Sequence, residues 1–225
     1  MLPNSLDHPE SQIYGSYAFW YESLYLAYVE IYEVAHQRLH TQLASSRDGE
    51  HWNRLCDNDA FLPCGDHGAF DAYWIVPTFN PPVESENKLL IHYCGRPDPH
   101  KQAGFDHVQP GMGGALGVSE LRMDGFASLD ATGLPGIVRT HALNLENEAR
   151  FLNVNVCPFN QRPGYEAMYV EVEMGCAGSR RVWSIEPDDC DPTGYRIDLG
   201  ERVSRGVTLT FRLKNARLYS FKFTD

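Results

Sequence analysis

The segment that decides the fold class is residues 24–34, which read Leu24-Tyr25-Leu26-Ala27-Tyr28-Val29-Glu30-Ile31-Tyr32-Glu33-Val34. Its apolar positions fit an amphipathic helix only roughly. Tyrosine, valine and isoleucine are frequent in the segment, and aromatic and β-branched side chains favour strands. We therefore predict a buried strand over residues 24–34. Long helical stripes are scarce elsewhere in the chain, so the predicted fold class is all-β.

The segment after this strand predicts a hairpin. Residues 41–52 form an alternating run that is broken by Asp48-Gly49. An Asp-Gly pair favours the positive φ angles of a two-residue type I′ turn. The return strand of the hairpin then carries Trp52.

Two further strands are predicted upstream of residue 100. They cover residues 70–77 and 88–93 and lie on either side of the Pro81-Pro82 turn. Short strands joined by tight hairpins are typical of the blades of a β-propeller. The N-terminal part of the chain is therefore predicted to consist of propeller blades.

Composition changes between residues 100 and 115, where glycine and proline become frequent and little of the sequence is suited to a core. This change predicts two domains, residues 1–105 and residues 106–225. Alternating segments recur at short intervals after it, as expected for two packed antiparallel sheets. The C-terminal domain is therefore predicted to be a β-sandwich that resembles a jelly roll. In its last strand, Tyr219, Phe221 and Phe223 are predicted to form one core-facing side.

Charge and composition exclude several classes of partner. The chain has 225 residues, 43% of them hydrophobic, and a formal net charge of −11. An acidic chain is a poor ligand for nucleic acid, because such binding depends on neutralising phosphates with Lys and Arg. No apolar run is long enough to span a membrane, and the N-terminus lacks the pattern of a signal peptide. The sequence as written predicts a cytoplasmic protein.

Several strings resemble known proteins. They are residues 117–129 (GVSELRMDGFASL), 188–192 (DDCDP), 211–221 (FRLKNARLYSF), and, upstream, 43–52 (LASSRDGEHW), 68–71 (GAFD) and 92–95 (HYCG). Together they resemble the last blades and the C-terminal sandwich of five-bladed propeller glycoside hydrolases of the arabinanase, invertase and levanase type. A four-stranded blade needs roughly 40 to 50 residues, so about two blades fit before the Gly-rich segment. The resemblance implies a partial propeller whose active site is incomplete unless another chain or a longer parent supplies the rest.

The same resemblance suggests catalytic carboxylates. Such hydrolases use two acids, one as general acid and one as base or nucleophile. Asp71 matches a family motif in Gly68-Ala69-Phe70-Asp71 and is the first candidate, and Glu22 is the second. The alternatives are a carboxylate that caps a strand at Asp71 and a solvated turn residue at Glu22.

Sugar-binding side chains are predicted beside these acids. Arg96 and His100 follow the strand over residues 88–93, where a funnel-facing loop is expected. Tyr21 and Trp74 are predicted to stack on a sugar ring, although alternation allows only one residue of each adjacent aromatic pair to face the funnel. The alternatives are a surface loop and ordinary core packing.

No cofactor is predicted. The weak exception is the acidic loop with Asp188, Asp189 and Asp191, a candidate for Ca²⁺ whose spacing differs from an EF-hand and also fits turn chemistry. The predicted partner is a carbohydrate, and unpaired strand edges predict a homo-oligomer. Two functions stay open: a glycoside hydrolase-like protein that acts on or binds a small or oligomeric carbohydrate, and a non-catalytic carbohydrate-binding or protein-interaction module.

Overall fold

We describe the protein from a computed structural model, for residues 3–100, 113–160, 167–176, 178–185 and 194–225. Strands make up 59% of the chain, which confirms the predicted all-β class. Among these described residues the helical content is a single 3-10 turn at Cys56–Asn58. The chain divides into two compact units, residues 1–121 and residues 122–225.

The first unit contains one sheet of eight strands. The strands are β1 (Ser11–Tyr21), β2 (Leu24–Glu33), β3 (Arg38–Ser46), β4 (Asn53–Arg54), β5 (Trp74–Pro77), β6 (Val83–Ser85), β7 (Lys88–Arg96) and β8 (Ala115–Arg122). Their order is β1-β2-β3-β5-β7-β6, with β4 paired to β3 and β8 paired to β7. The predicted strand over residues 24–34 is confirmed as β2, which is buried on both faces over most of its length because it lies between β1 and β3.

This sheet has two halves that meet at a narrow seam. Strands β1 to β4 form one antiparallel half and β5 to β8 the other. The strands across the seam, β3 and β5, share a single parallel residue pair, Leu39 with Trp74. Side chains reinforce the seam: Arg38 donates to the carbonyl of Ala72 at 3.0 and 3.1 Å, and the Thr41 hydroxyl donates to the carbonyl of Ile75 at 2.9 Å.

The predicted hairpin after β2 is present as β3 and β4, but its loop is longer than two residues. Strand β3 ends at Ser46, and the return strand begins at Asn53. The Asp48 carboxylate accepts hydrogen bonds from the backbone N–H groups of Glu50 and His51, so this side chain organises the wider loop.

The second unit is a sandwich of two antiparallel four-stranded sheets. Its strands are β9 (Leu129–Ala131), β10 (Gly136–Arg139), β11 (Ala149–Pro158), β12 (Tyr169–Cys176), β13 (Ser179–Ile185), β14 (Tyr195–Val203), β15 (Thr208–Lys214) and β16 (Ala216–Thr224). One sheet has the order β10-β15-β12-β13 and the other β14-β11-β16-β9. Apolar side chains from both sheets, including Leu152, Val172, Leu209 and Phe211, pack in one buried core, as predicted for a sandwich.

A β-bulge changes which side of the last strand faces this core. The register between β11 and β16 shifts between Asn155 and Val156, so Tyr219 has no partner in the ladder. Leu218 before the bulge and Phe221 and Phe223 after it contact the core. Tyr219 instead lies under the guanidinium of Arg122, 4.3 Å from the ring centre. The predicted aromatic face is therefore interrupted at its first member.

The propeller interpretation of the first unit is not confirmed. The strands that were assigned to about two blades are hydrogen-bonded in one sheet rather than in two separate sheets. The predicted domain boundary between residues 105 and 106 lies outside the described residues. Residues 117–121, which were assigned to the sandwich, belong to β8 and pair with β7 in the first unit.

Candidate functional site

Three of the four side chains predicted to bind sugar lie in contact with one another. Trp74 opens β5 and pairs with Arg96 at the end of β7, so both side chains project from the same face of the sheet. The His100 ring stacks on the Trp74 ring with a centroid distance of 4.8 Å and an angle of 11°. The Arg96 guanidinium carbon lies 5.4 Å from the centre of the Trp74 ring, within the range of a cation–π contact.

Two tyrosines that sequence reasoning missed complete this group. The His100 ring lies 4.5 Å from the ring of Tyr32 and 5.3 Å from that of Tyr14, and its Nε2 is 3.3 Å from the Tyr14 hydroxyl. Tyr32 comes from β2, and Tyr14 occupies a bulge in β1 where the register with β2 shifts. A bulge changes the direction in which a side chain projects, so the strict alternation of side chains along a strand does not predict the position of Tyr14. We call Tyr14, Tyr32, Trp74, Arg96 and His100 the aromatic cluster.

The aromatic cluster combines ring surface with hydrogen-bonding atoms that have no partner in the part of the chain that the structure describes. Tyr14 is 53% exposed and offers a ring to solvent. The Trp74 Nε1, the Arg96 Nε and the Tyr32 hydroxyl are buried and make no hydrogen bond to any described residue. Buried polar groups usually find partners, so these three unpaired groups are unusual features of the cluster.

Two of the three remaining predicted residues of the N-terminal half, Tyr21 and Glu22, lie far from this cluster. Glu22 is exposed and has a positive φ of 51° in the turn between β1 and β2, and Tyr21 is the last residue of β1. From Leu24 to Tyr32, which belongs to the cluster, β2 extends about 26 Å at 3.3 Å per residue. Trp20, also near this turn, projects from the opposite face to Tyr21 and contacts Tyr25.

Asp71 lies on the other face of the sheet from Arg96 and Trp74. Its Oδ2 accepts a 2.9 Å hydrogen bond from the hydroxyl of Tyr93. Tyr93 is three residues before Arg96 on β7, so the two side chains project from opposite faces of the sheet. A Cβ on Gly95 would lie 2.7 Å from the Asp71 Cβ, so this glycine provides the space for the aspartate. Burial raises the pKa of Tyr93, and the neighbouring Asp71 raises it further, so this phenol stays protonated and donates.

The two predicted catalytic acids are therefore not brought together in one copy of the chain. The paired carboxyl groups of glycosidases lie about 5 to 10 Å apart. Glu22 is at the far end of β2 from the seam, whereas Asp71 precedes β5 at the seam. The structure thus separates the predicted acids from each other and Asp71 from the predicted sugar-binding side chains.

A cleft that sequence reasoning missed lies on the opposite face of β1 to β3 from the aromatic cluster. It has a volume of about 320 Å³. Its polar lining includes Asp7, Ser11, Glu33, Arg38, His40 and Cys64. These residues come from distant parts of the sequence and share a face only through the strand register, which pairs Ser11 with Glu33 and Glu33 with Arg38.

Burial shifts the pKa values of His40 and Cys64 in the cleft in the direction of their neutral forms. The Nδ1 of His40 lies 3.4 Å from a Glu33 carboxylate oxygen. Burial lowers the pKa of His40 more than the charge of Glu33 raises it. Burial also raises the pKa of the Cys64 thiol to about 11. The Ser11 hydroxyl is buried there, and no described residue forms a hydrogen bond with it.

The candidate calcium loop with Asp188, Asp189 and Asp191 lies outside the described residues. Within the described part of the chain, no group of three or more His, Cys, Asp or Glu side chains is arranged to hold a metal ion. In the same residues no helix has the length and apolar character needed to cross a membrane.

These features define an all-β protein with an eight-stranded sheet in one unit and a sandwich in the other. No protein-family model matches the sequence, and no curated protein matches it. A solved structure named glycoside hydrolase is similar over 99% of this chain, with a TM-score of 0.30 and 8% sequence identity. The chain spans 61% of the length of that protein. A likeness this low assigns no activity to the chain.

Proposed function

We propose that the first unit binds a carbohydrate through the aromatic cluster. The observation that carries the proposal is the stack of His100 on Trp74, with Arg96 against the same indole. Sugar rings present C–H groups that pack on aromatic faces, and their hydroxyls accept hydrogen bonds from guanidinium and indole donors. The exposed Tyr14 ring supplies the apolar contact. The buried donors on Trp74 and Arg96, which have no partner among the described residues, supply hydrogen bonds once the side chains that cover them shift to admit the sugar.

Binding without hydrolysis fits this geometry better than catalysis. Cleavage of a glycosidic bond needs two carboxyl groups that flank it. Asp71 projects from the opposite face of the sheet to the aromatic cluster. Glu22 lies in the turn before β2 and is separated from Tyr32 of the cluster by about 26 Å of that strand. The acidic net charge of −11 also favours a neutral ligand over a polyanion.

Isothermal titration calorimetry with short arabino-oligosaccharides and the fructo-trisaccharide kestose tests the proposal. We expect saturable binding to the full chain. We also expect a loss of about tenfold in affinity for Tyr14→Ala, which corresponds to about 1.4 kcal/mol, because this variant removes the exposed ring on which the sugar packs. Trp20→Ala is the matched control, because Trp20 is 55% exposed and lies on the other face of the sheet. Equal losses in both variants, or no binding by the unaltered protein, would refute the proposal.

A second candidate is glycoside hydrolysis through Asp71 with the remaining groups supplied by another chain. It is favoured by the way Tyr93 and Gly95 hold and accommodate this carboxylate. Asp71→Asn is then expected to abolish release of the aryl group from aryl-glycosides, with the exposed Asp198→Asn as control. Unchanged turnover in Asp71→Asn would remove Asp71 from any mechanism.

A further inference from the structure

A carboxyl group that the sequence did not single out lies beside the aromatic cluster. Glu30 is two residues before Tyr32 on β2, so its side chain projects from the same face about 7 Å along the strand. It is 6% exposed at the centre of the sheet, between Gly15 on β1 and Thr41 on β3. An acidic side chain is rarely buried unless it is paired or functional.

The local backbone makes room for this carboxyl group. A Cβ on Gly15 would lie 2.6 Å from a Glu30 carboxyl oxygen, so the side chain extends across the glycine. Gly15 directly follows the bulge that carries Tyr14 into the cluster. One irregularity in β1 therefore both aims Tyr14 at His100 and is followed by the gap that Glu30 occupies.

The carboxyl group of Glu30 has no partner among the described residues. No described residue donates a hydrogen bond to it or forms an ion pair with it, and burial alone raises its pKa. The titratable groups on this face of the sheet include the phenols of Tyr14, Tyr17, Tyr28 and Tyr32, the side chains of His92, Cys94 and Arg96 on β7, and His100 beyond Tyr32. Thr41, the neighbour on β3, directs its hydroxyl to the carbonyl of Ile75 instead.

We propose that Glu30 accepts hydrogen bonds from hydroxyl groups of the sugar that the aromatic cluster binds, and so acts as a specificity-determining residue of this site. The inference rests on the proposed carbohydrate binding. Adjacent hydroxyls of a sugar supply the donors that the protein lacks at this position. A carboxylate accepts such bonds more strongly than a neutral carboxyl group, so sugar binding favours the ionised form.

Calorimetry with kestose and a short arabino-oligosaccharide, from about pH 4 to about pH 8, tests the role of Glu30. The affinity of the unaltered protein is expected to rise as the pH increases through the titration of Glu30. Glu30→Gln keeps the shape but removes the charge, and is expected to bind about tenfold to a hundredfold more weakly at the upper end and without this pH dependence. Glu84→Gln, an exposed change on β6, is expected to match the unaltered protein.

The outcomes separate the two proposals. If the unaltered protein binds neither sugar, carbohydrate binding is refuted and the role of Glu30 with it. If the unaltered protein binds and Glu30→Gln has the same affinity and pH profile, only the role of Glu30 is refuted. A carbon-13 titration of glutamate carboxyls in the unaltered protein gives an answer that does not depend on the variant. The glutamate with the raised pKa, which is Glu30 among the described residues, is expected to show a lower pKa when kestose or the arabino-oligosaccharide is bound, and an unchanged pKa would overturn the inference.

Discussion

Replacement of Asp7 by asparagine is expected to be among the most destabilising single changes in the first unit. The Asp7 carboxylate accepts two hydrogen bonds from the Arg54 guanidinium, at 2.5 and 2.6 Å. The two side chains are 2% and 3% exposed. Arg54 also donates to Gln42 at 3.0 Å, and Asn58 donates to Asp7 at 3.3 Å. This network fastens the N-terminal segment to β3, β4 and the 3-10 turn.

The magnitude follows from the charge that the substitution leaves behind. Asp7→Asn keeps the shape of the side chain but leaves the buried Arg54 guanidinium without its counter-ion. Removing one partner of a buried ion pair costs about 3 to 5 kcal/mol. For a protein of this size that free energy corresponds to a Tm lower by about 6 to 20 °C.

The pH dependence provides a second signature. Burial works to raise the pKa of Asp7, but hydrogen bonds from Arg54 and Asn4 and the charge of Arg54 lower it overall. A carboxyl group whose folded pKa is depressed contributes stability above its unfolded pKa, and this contribution is lost as the pH falls through the folded pKa. The unaltered protein should therefore lose stability in acid more steeply than Asp7→Asn.

Urea unfolding at neutral and acidic pH measures both effects. Asp198→Asn is the control, because it removes a carboxylate from an exposed pair with Arg150 and should change stability little. If Asp7→Asn proves as stable as Asp198→Asn, or if its acid dependence equals that of the unaltered protein, the buried pair does not carry the stability we assign to it.

Three other outcomes are expected. Gly15→Ala should cost about 1 kcal/mol in urea unfolding, because the new Cβ displaces the buried end of the Glu30 side chain. Gly133→Ala should cost less, since a Cβ there meets no described atom within 4 Å, and equal effects would contradict this account. Glu30→Gln should gain stability relative to the unaltered protein as the pH rises. A carboxyl group whose pKa is raised by folding destabilises the folded protein when it ionises, and glutamine does not ionise. Parallel curves of stability against pH for the two proteins would argue against this. Light scattering should find a homo-oligomer, because β1 lies at the edge of its sheet; a monomer would count against pairing through that edge.

Local sequence patterns predicted the strands but not how the strands of the first unit join. Residues 24–34 carry enough β-branched and aromatic side chains to identify β2, and β2 is confirmed. The parallel pair between Leu39 and Trp74 links strands that are far apart in sequence, and no periodicity in either strand encodes it. Two propeller blades were therefore predicted where the structure has one sheet.

The candidate site was predicted only in part, because strand pairing that the local sequence does not encode brings some of its residues together. Trp74, Arg96 and His100 lie within one short region of the chain, so reasoning about loops after strands could group them. Tyr14 and Glu30 join them through a bulge and a three-strand register, which depend on the partner strands as much as on the local sequence. Glu22 was selected for its place before an apolar run, and that place proved to be a hairpin turn at the distant end of the sheet.

The seam between β3 and β5 has a consequence for which substitutions the sequence can accept during evolution. Pairing of strands through main-chain groups usually depends little on which residues are present, because nearly every residue carries the same amide and carbonyl groups. At this seam, side chains supply part of the join, because Arg38 and Thr41 donate hydrogen bonds to the carbonyls of Ala72 and Ile75. Substitutions at Arg38 and Thr41 are therefore expected to weaken the join between the two halves of the sheet, which would then depend on main-chain contacts such as the hydrogen bond from the Leu39 N–H to the Tyr73 carbonyl.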